Sequence, residues 1–479
     1  MPCTWKCGAA CWSNRRTSDD ADEPHIGQIG LAALVAASFA VPAWAAQLAV
    51  TPDVNDLQAL LDQAADGDEV RLAGGTYRGP LRIDHRVTLA GDAGAIIVGS
   101  GNGNVITVSA PGAVVRGLGI RGSGRSLETM DSGVFVEQSA TAAVVEDNKI
   151  EDNLFGIYLH GAPNAIARSN RIVGLRQPRI SETGNGVSVW NAPGAKVIGN
   201  DFRYGRDGIF AISSRDNLFS GNRFRDLRFA VHNMYSNDGV ITNNVSRGNI
   251  IGYAMMFSKH FILRDNVSDH DRDRGILFNA ANGSEITGNT VIGGLQPAAR
   301  WATAENRDAD EGVPPLEPAL APVAGGRIGP ERCVFIYNTN KNRIDDNWFE
   351  GCEIGVQFTA GSEGNDITGN AFVNNANQVK YVGTRHLDWS KNGRGNYWSG
   401  NPAFDLNGDG IADTAYRPND LIDRVLWTAP AAKVLINSPA VQVIRWAQAQ
   451  FPALLPGGVV DSHPLMSPPV RRNLGEAAP

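Results

Sequence analysis

Residues 230–275 read AVHNMYSNDGVITNNVSRGNIIGYAMMFSKHFILRDNVSDHDRDRG, and the stretch states one pattern twice. A small residue, Ala230 or Gly252, opens each copy. Fourteen residues later an asparagine, Asn244 or Asn266, closes it. Between them lies a short run with strand periodicity, then a turn rich in Asn, Asp and Ser. Outward from this stretch the closing asparagine recurs at Asn148, Asn170, Asn200, Asn222, Asn244, Asn266, Asn289, Asn347 and Asn370, each after a small or polar residue. The steps are 22, 30, 22, 22, 22, 23, 58 and 23 residues. A unit of about 22 residues holding three short strands is one turn of a parallel β-helix. Stacked asparagines can bond up and down such a column. The long steps mark insertions at 177–183 and 295–331. The second is rich in Pro and Ala, carries the acidic run 305–311, and reads as an external loop.

The repeat also orients side chains. One alternate set after each small residue is a continuous apolar column: Ile157/Leu159, Val187/Val189, Ile209/Ala211, Tyr253/Met255, Ile276/Phe278 and Val334/Ile336. This set belongs inside. The other set then faces outward: Tyr158/His160, Ser188/Trp190, Phe210/Ile212, His232/Met234, Ala254/Met256, Leu277/Asn279 and Phe335/Tyr337. That outer face is too apolar for a solvated surface and marks a partner site, with Trp190, Phe210, Ile212, Phe335 and Tyr337 as its docking residues.

The ends differ from the middle. Residues 56–65 have helical spacing after Asn55 as N-cap, which makes an N-terminal capping helix. Ser438-Pro439 starts a second helix running to Phe451, with Val443, Ala447 and Phe451 on one face to cover the open end of the coil. The expected fold is thus all-β, a right-handed parallel β-helix over 46–395 with a C-terminal loop and helical cap over 396–479. Residues 29–41 are apolar but too short to span a bilayer, and Ala43-Trp44-Ala45 follows the small-x-small rule of a secretory cleavage site. Residues 1–45 are therefore a leader and signal peptide, although Asp19, Asp20, Asp22 and Glu23 are unusual there. Cys3, Cys7 and Cys11 fall in the leader, which leaves Cys333 and Cys352 in the mature chain; spacing alone leaves open whether they bridge.

Composition narrows the function. Abundant Gly (54) and few aromatics (8%) suit a turn-rich β architecture. A net charge of −7 argues against nucleic acid. No G-x-x-x-x-G-K-[ST] loop is present, so the chain does not itself hydrolyse ATP by that route. Three of the six methionines and three of the eight histidines lie in the opening stretch. His232 and Met234 share the outer face of one strand, and Met256 stacks on Met234 one turn later, about 4.8 Å along the ladder. An imidazole with two thioethers is a soft ligand set that suits Cu(I); a Met-rich adhesive surface is the plainer alternative. His260, at the next corner, is a candidate fourth ligand. Asp405, Asn407, Asp409 and Asp413 are spaced like a calcium loop or an Asx-rich turn. Asp269-His270-Asp271-Arg272 offers an acid, a base and a cation for lyase or epimerase chemistry on a uronate polymer, or else a solvated corner.

The segments HNMYSND, GYAMMFS, CVFIYNTNKNRI, FEGCEIGVQFTAGSE, QVKYVGTR, GRGNYWSGNPAFDLNGDGIADTAYRPND, AKVLINSPAVQVIRWAQAQFPA and VVDSHPLM resemble the NosD family, over roughly 49–468. The C-terminal segments are the most specific. Where that family usually has His-Tyr-Met-Tyr, this chain has His232-Asn233-Met234-Tyr235, so the His and Met positions match and the intervening aromatic does not. The resemblance implies a non-enzymatic periplasmic factor for nitrous oxide reductase. Its members act with the ATPase and membrane subunits of an ABC transporter and with a copper-chaperone lipoprotein, and they serve assembly of the reductase's copper-sulfide site. On that footing His232, Met234 and Met256 are expected to take Cu(I) transiently.

Overall fold

The computed structural model describes residues 46–471, apart from 177–178, 298–325, 360, 384, 420–421, 424, 426–428, 436–437 and 452–456. The chain coils as a parallel β-solenoid. Each turn lays down three strands, and like strands of successive turns pair in parallel, giving two sheets of thirteen strands and one of twelve. The 22-residue step fixes the register: Ile209 of Asp207–Ile212 faces Val231 of Phe229–Met234, which faces Tyr253 of Ile251–Met256. The inner column Val134, Ile157, Val187, Ile209, Val231, Tyr253, Ile276, Val334 and Val356 is at most 2% exposed. Tyr253 is tolerated there because its hydroxyl, a single donor, sits 2.8 Å from Asn244 O and 2.9 Å from Val267 O.

The asparagine column is built of hydrogen bonds. Asn222 Nδ2 donates to Asn244 Oδ1 (2.9 Å), and Asn244 Nδ2 donates to Asn266 Oδ1 (2.9 Å). Each Oδ1 also accepts the backbone N–H of the preceding asparagine, as Asn244 does from Asn222 (3.0 Å). The second amide proton reaches a carbonyl of the earlier turn, Phe219 O in the case of Asn244 (2.9 Å). The residue before each ladder asparagine has positive φ: Asp147, Ser169, Gly199, Gly221, Asn243, Asp265, Gly288, Asp346 and Gly369. Left-handed backbone favours Gly, Asn and Asp, which explains the recurring small-or-polar pair. The column runs one turn beyond the sequence spacing, from Asn370 to Asn396 (2.9 Å), and ends where Asn396 N–H donates to Asp461 Oδ2 (2.7 Å).

Both ends are closed by side chains. Helix Leu57–Gln63 buries Leu57 and Leu61. Its N-cap is Asp56, not Asn55, because the Asp56 carboxylate reaches Ala59 N–H at 3.0 Å. At the other end Trp398 stacks on Phe372 (4.3 Å between centroids), lies beside Trp389 and Tyr416, and donates from Nε1 to Asp461 (2.8 Å). The second helix forms at Pro439–Gln450 with Ser438 as its cap. The role expected of its apolar face is not borne out: Val443 is 63% and Phe451 59% exposed, so aromatic stacking and not this helix fills the last turn.

The second insertion leaves through Gly294–Gln296 and returns through Arg327–Gly329, paired antiparallel. Cys333 and Cys352 form a disulfide with Cα atoms 5.7 Å apart, both fully buried. The signal segment, its cleavage site and the three leader cysteines lie outside the described residues. Replacing Asn244 by Ala should leave the Asn222 amide groups, Asn266 Oδ1 and Phe219 O short of partners. We expect a loss of roughly 3 kcal/mol, read as a lowered urea midpoint with unchanged β-type circular dichroism.

Candidate functional site

The twelve-stranded sheet presents two outward columns. In register, one runs His160, Trp190, Ile212, Met234, Met256, Asn279, Tyr337. The other runs Tyr158, Ser188, Phe210, His232, Ala254, Leu277, Phe335. All five expected docking residues and three of the four expected copper ligands therefore fall on one face.

The face is less open than alternation alone suggests. Ala254 and Leu277 are buried with Ile251 in a small outer core, against which Phe229, Ile250, Met256 and Phe335 pack. His232 is 8% exposed. Phe229, Ile250 and Ile251, where two of these strands begin, cover the middle of the second column at Ala254 and Leu277. Trp190 (39%) and Tyr337 (50%) are exposed, whereas Phe210, Ile212, Met234, Met256 and Phe335 are half-buried. Asn233 points inward, as alternation requires, and its amide donates to Ser236 O (2.9 Å).

His232 is held from three sides. Its Nδ1 lies 3.2 Å from Asp207 Oδ2. Its ring lies 4.7 Å from that of Phe229, edge to face, and 4.9 Å from that of Phe210. Asp207, fully buried, also accepts two bonds from Arg228: Nε to Oδ1 (2.8 Å) and Nη2 to Oδ2 (2.6 Å). Burial pushes the Asp207 carboxyl upward, but the hydrogen bonds from His232 and Arg228 and the Arg228 charge outweigh it, leaving the group below the ordinary carboxylate value. The His232 Nε2 atom is buried and has no hydrogen-bond partner. An orphaned imidazole nitrogen on the face that carries two neutral thioethers suits a soft cation. Among the described residues no group of three His, Cys, Asp or Glu side chains gathers to hold a metal.

His260 is not part of this arrangement. Phe257 takes φ 51° at the strand end and turns the chain. His260 then sits on the next corner, 65% exposed at its side chain, with Nδ1 3.5 Å from Asp238. Two residues missed in the sequence flank the methionines: Tyr235 and Phe257, exposed and stacked at 4.9 Å, both with positive φ. Bulky residues rarely adopt that conformation. Their signal was an aromatic where other turns carry Asn191, Ser213, Ala280 or Asn338. Asp207 was missed as well, although it is a carboxylate in a column shared with Phe229 and Ile251.

The other candidates resolve differently. The solvated corner expected at 269–272 is instead a buried knot. Asp271 and Arg272 are 0% exposed. Asp271 accepts from Ser246 Oγ (2.7 Å), Ser268 Oγ (2.6 Å) and Asn249 N–H (2.8 Å). It occupies a second polar column, below Asn249, which accepts from Leu227 N–H in the same way (2.8 Å). Burial pushes the Asp271 carboxyl up to about 6 despite these bonds. Asp269 is buried too, tied to Arg247 (2.7 Å) and His270 (2.6 Å). Of the four, His270 alone keeps a third of its side chain in solvent. In the 405–413 loop, Asp405 accepts Gly408 N–H (2.6 Å) and Gly410 N–H (2.8 Å), Asp409 accepts Ile411 N–H (2.8 Å), and Asp413 accepts Leu406 N–H (2.7 Å). That is an Asx-turn network, the plainer of the two readings of this loop.

Comparison with known proteins gives the family. The family described as periplasmic copper-binding protein (NosD) matches residues 168–402. A protein of Stutzerimonas stutzeri named probable ABC transporter binding protein NosD is 39% identical over 406 residues, 85% of this chain and 88% of that one. The chain belongs to the NosD family. A NosD of Pseudomonas aeruginosa under the same name is also 39% identical, over 85% of this chain and 90% of its own. Among solved structures, the Dettilon tailspike protein aligns with TM-score 0.47 and 14% identity, over 70% of this chain and 68% of that chain, too distant to bear on what a NosD does.

Asp271 yields a pH prediction. Its folded value lies above that of a free carboxyl, so its contribution to stability is fully present below about pH 4 and is lost as pH rises through about 6. Relative to wild type, Asp271→Asn should gain up to roughly 3 kcal/mol between pH 4 and 8, measured by urea unfolding across that range.

Proposed function

We propose that this NosD is a periplasmic factor in maturation of nitrous oxide reductase, and that it takes Cu(I) as cargo at His232, Met234 and Met256. The observation that carries this is the in-register pair Met234 and Met256 beside an imidazole whose Nε2 is buried and unpartnered. Neutral thioethers bind a soft cation without a charge to strip away, which suits delivery. The family's copper-binding description and the ABC transporter named in its relatives support the setting. A buried disulfide suits an oxidising compartment, which residues 1–45 would reach as a cleaved leader. His260 is left out of the ligand set because its imidazole leans to Asp238.

In this scheme a copper-chaperone lipoprotein delivers the ion. The apolar face carrying Trp190, Phe210, Ile212, Phe335 and Tyr337 holds that donor and then the reductase. The ATPase and membrane subunits of an ABC transporter bias which is docked. The chain itself performs no bond chemistry in this scheme.

An anaerobic Cu(I) competition titration should give one tight equivalent for the mature chain and none for Met234→Leu/Met256→Leu. Equal binding by both would refute the ligand set. Separately, Phe210→Asp with Ile212→Asp should abolish co-purification with the copper-chaperone lipoprotein and with the reductase while leaving circular dichroism unchanged; normal co-purification with both would exclude this face.

A further inference from the structure

We propose that Asp207 and Arg228 are positioning residues for His232, holding the imidazole in the tautomer whose lone pair sits on Nε2. This rests on the proposal that His232 binds Cu(I), and it names the groups that make it a ligand before copper arrives.

A neutral imidazole carries one N–H and one lone pair, and the hydrogen bond made by one nitrogen decides the other's state. Asp207 Oδ2 lies 3.2 Å from His232 Nδ1. A carboxylate only accepts, so the proton belongs on Nδ1 and the lone pair on Nε2. The carboxylate cannot swing away, because Arg228 grips both oxygens, at 2.8 and 2.6 Å. Arg228 is itself laid over Phe229, 4.4 Å from the ring centroid. Phe229 stands edge-on to the imidazole and Phe210 packs tilted against it, so both rings restrict a flip of the imidazole.

The result is a lone pair aimed into a buried space where nothing accepts or donates. An unsatisfied buried polar atom is unfavourable, and a fold with no use for it would pair it. Carboxylate-to-imidazole bonds of this kind orient metal-bound histidines elsewhere. Arg228 also balances the Asp207 charge. The arrangement is local to this turn. In the same column Asn185 precedes Asp207, and Phe229 and Ile251 follow it.

The test uses the full mature chain, labelled with 15N at histidine, metal-free, at neutral pH. Substitution of His232 by Gln assigns its signals. In wild type, His232 should show the Nδ1–H form. Asp207→Asn is isosteric but can donate to Nδ1; it should shift the ring to the Nε2–H form and weaken Cu(I) binding about ten- to a hundredfold. Asp207→Glu, which keeps the carboxylate, should restore the Nδ1–H form and most of the affinity. A wild-type ring in the Nε2–H or doubly protonated form overturns the proposal without any variant being needed. So does an Asp207→Asn chain that binds Cu(I) as wild type does, while copper binding itself stands. A wild type that shows the Nδ1–H form yet binds no Cu(I) refutes the copper site, and with it any positioning for copper.

Discussion

The structure depends on one constraint: a coil of parallel strands must satisfy its backbone at every tight corner, once per turn, in the same way. The buried asparagine column meets it. Each side chain accepts from the turn before and donates to the turn after, so a single residue type closes one corner and sets the height of the next. Strand register follows from that height. Because side chains alternate strictly along a strand, a slip of one residue would carry Met234 and His232 inside and Asn233 out. The geometry of the outer face is thus a consequence of amide bonds on the opposite side of the wall.

That face combines two kinds of environment. One column is open enough to meet another protein, with Trp190 and Tyr337 toward its ends. The other is folded under by Phe229, Ile250 and Ile251 and forms a second, shallow core. His232 lies where the two meet. Its ring is desolvated, yet the neighbouring thioethers stay half-exposed.

The sequence carried the fold well because the fold is periodic. Asparagine spacing located the turns, and alternation separated Tyr253 and Met255 from Ala254 and Met256 correctly. It carried less where contacts join residues from different turns. Nothing local marks Asp207 as the partner of a histidine twenty-five residues on. The burial of Asp271 and Arg272 comes from the neighbouring turns, while their composition looks like a solvated corner. Helix 439–450 was legible from its cap, but its face was not, since Trp398 and its stacked neighbours already fill the end of the coil. Asn55 lost the cap to Asp56 by one residue, a difference of reach.

The disulfide has a mechanical meaning. In a stack where each turn touches only its neighbours, damage spreads from a weak joint as a crack spreads between layers. The longest connection in this stack bridges the joint where consecutive ladder asparagines stand 58 residues apart, so the chain itself restrains that joint least. Cys333 and Cys352 sit in the first turn beyond that joint and tie it into a ring. Reduction would open that ring and loosen the first turn after the long connection, while the turns that carry His232 and Met256 lie outside it.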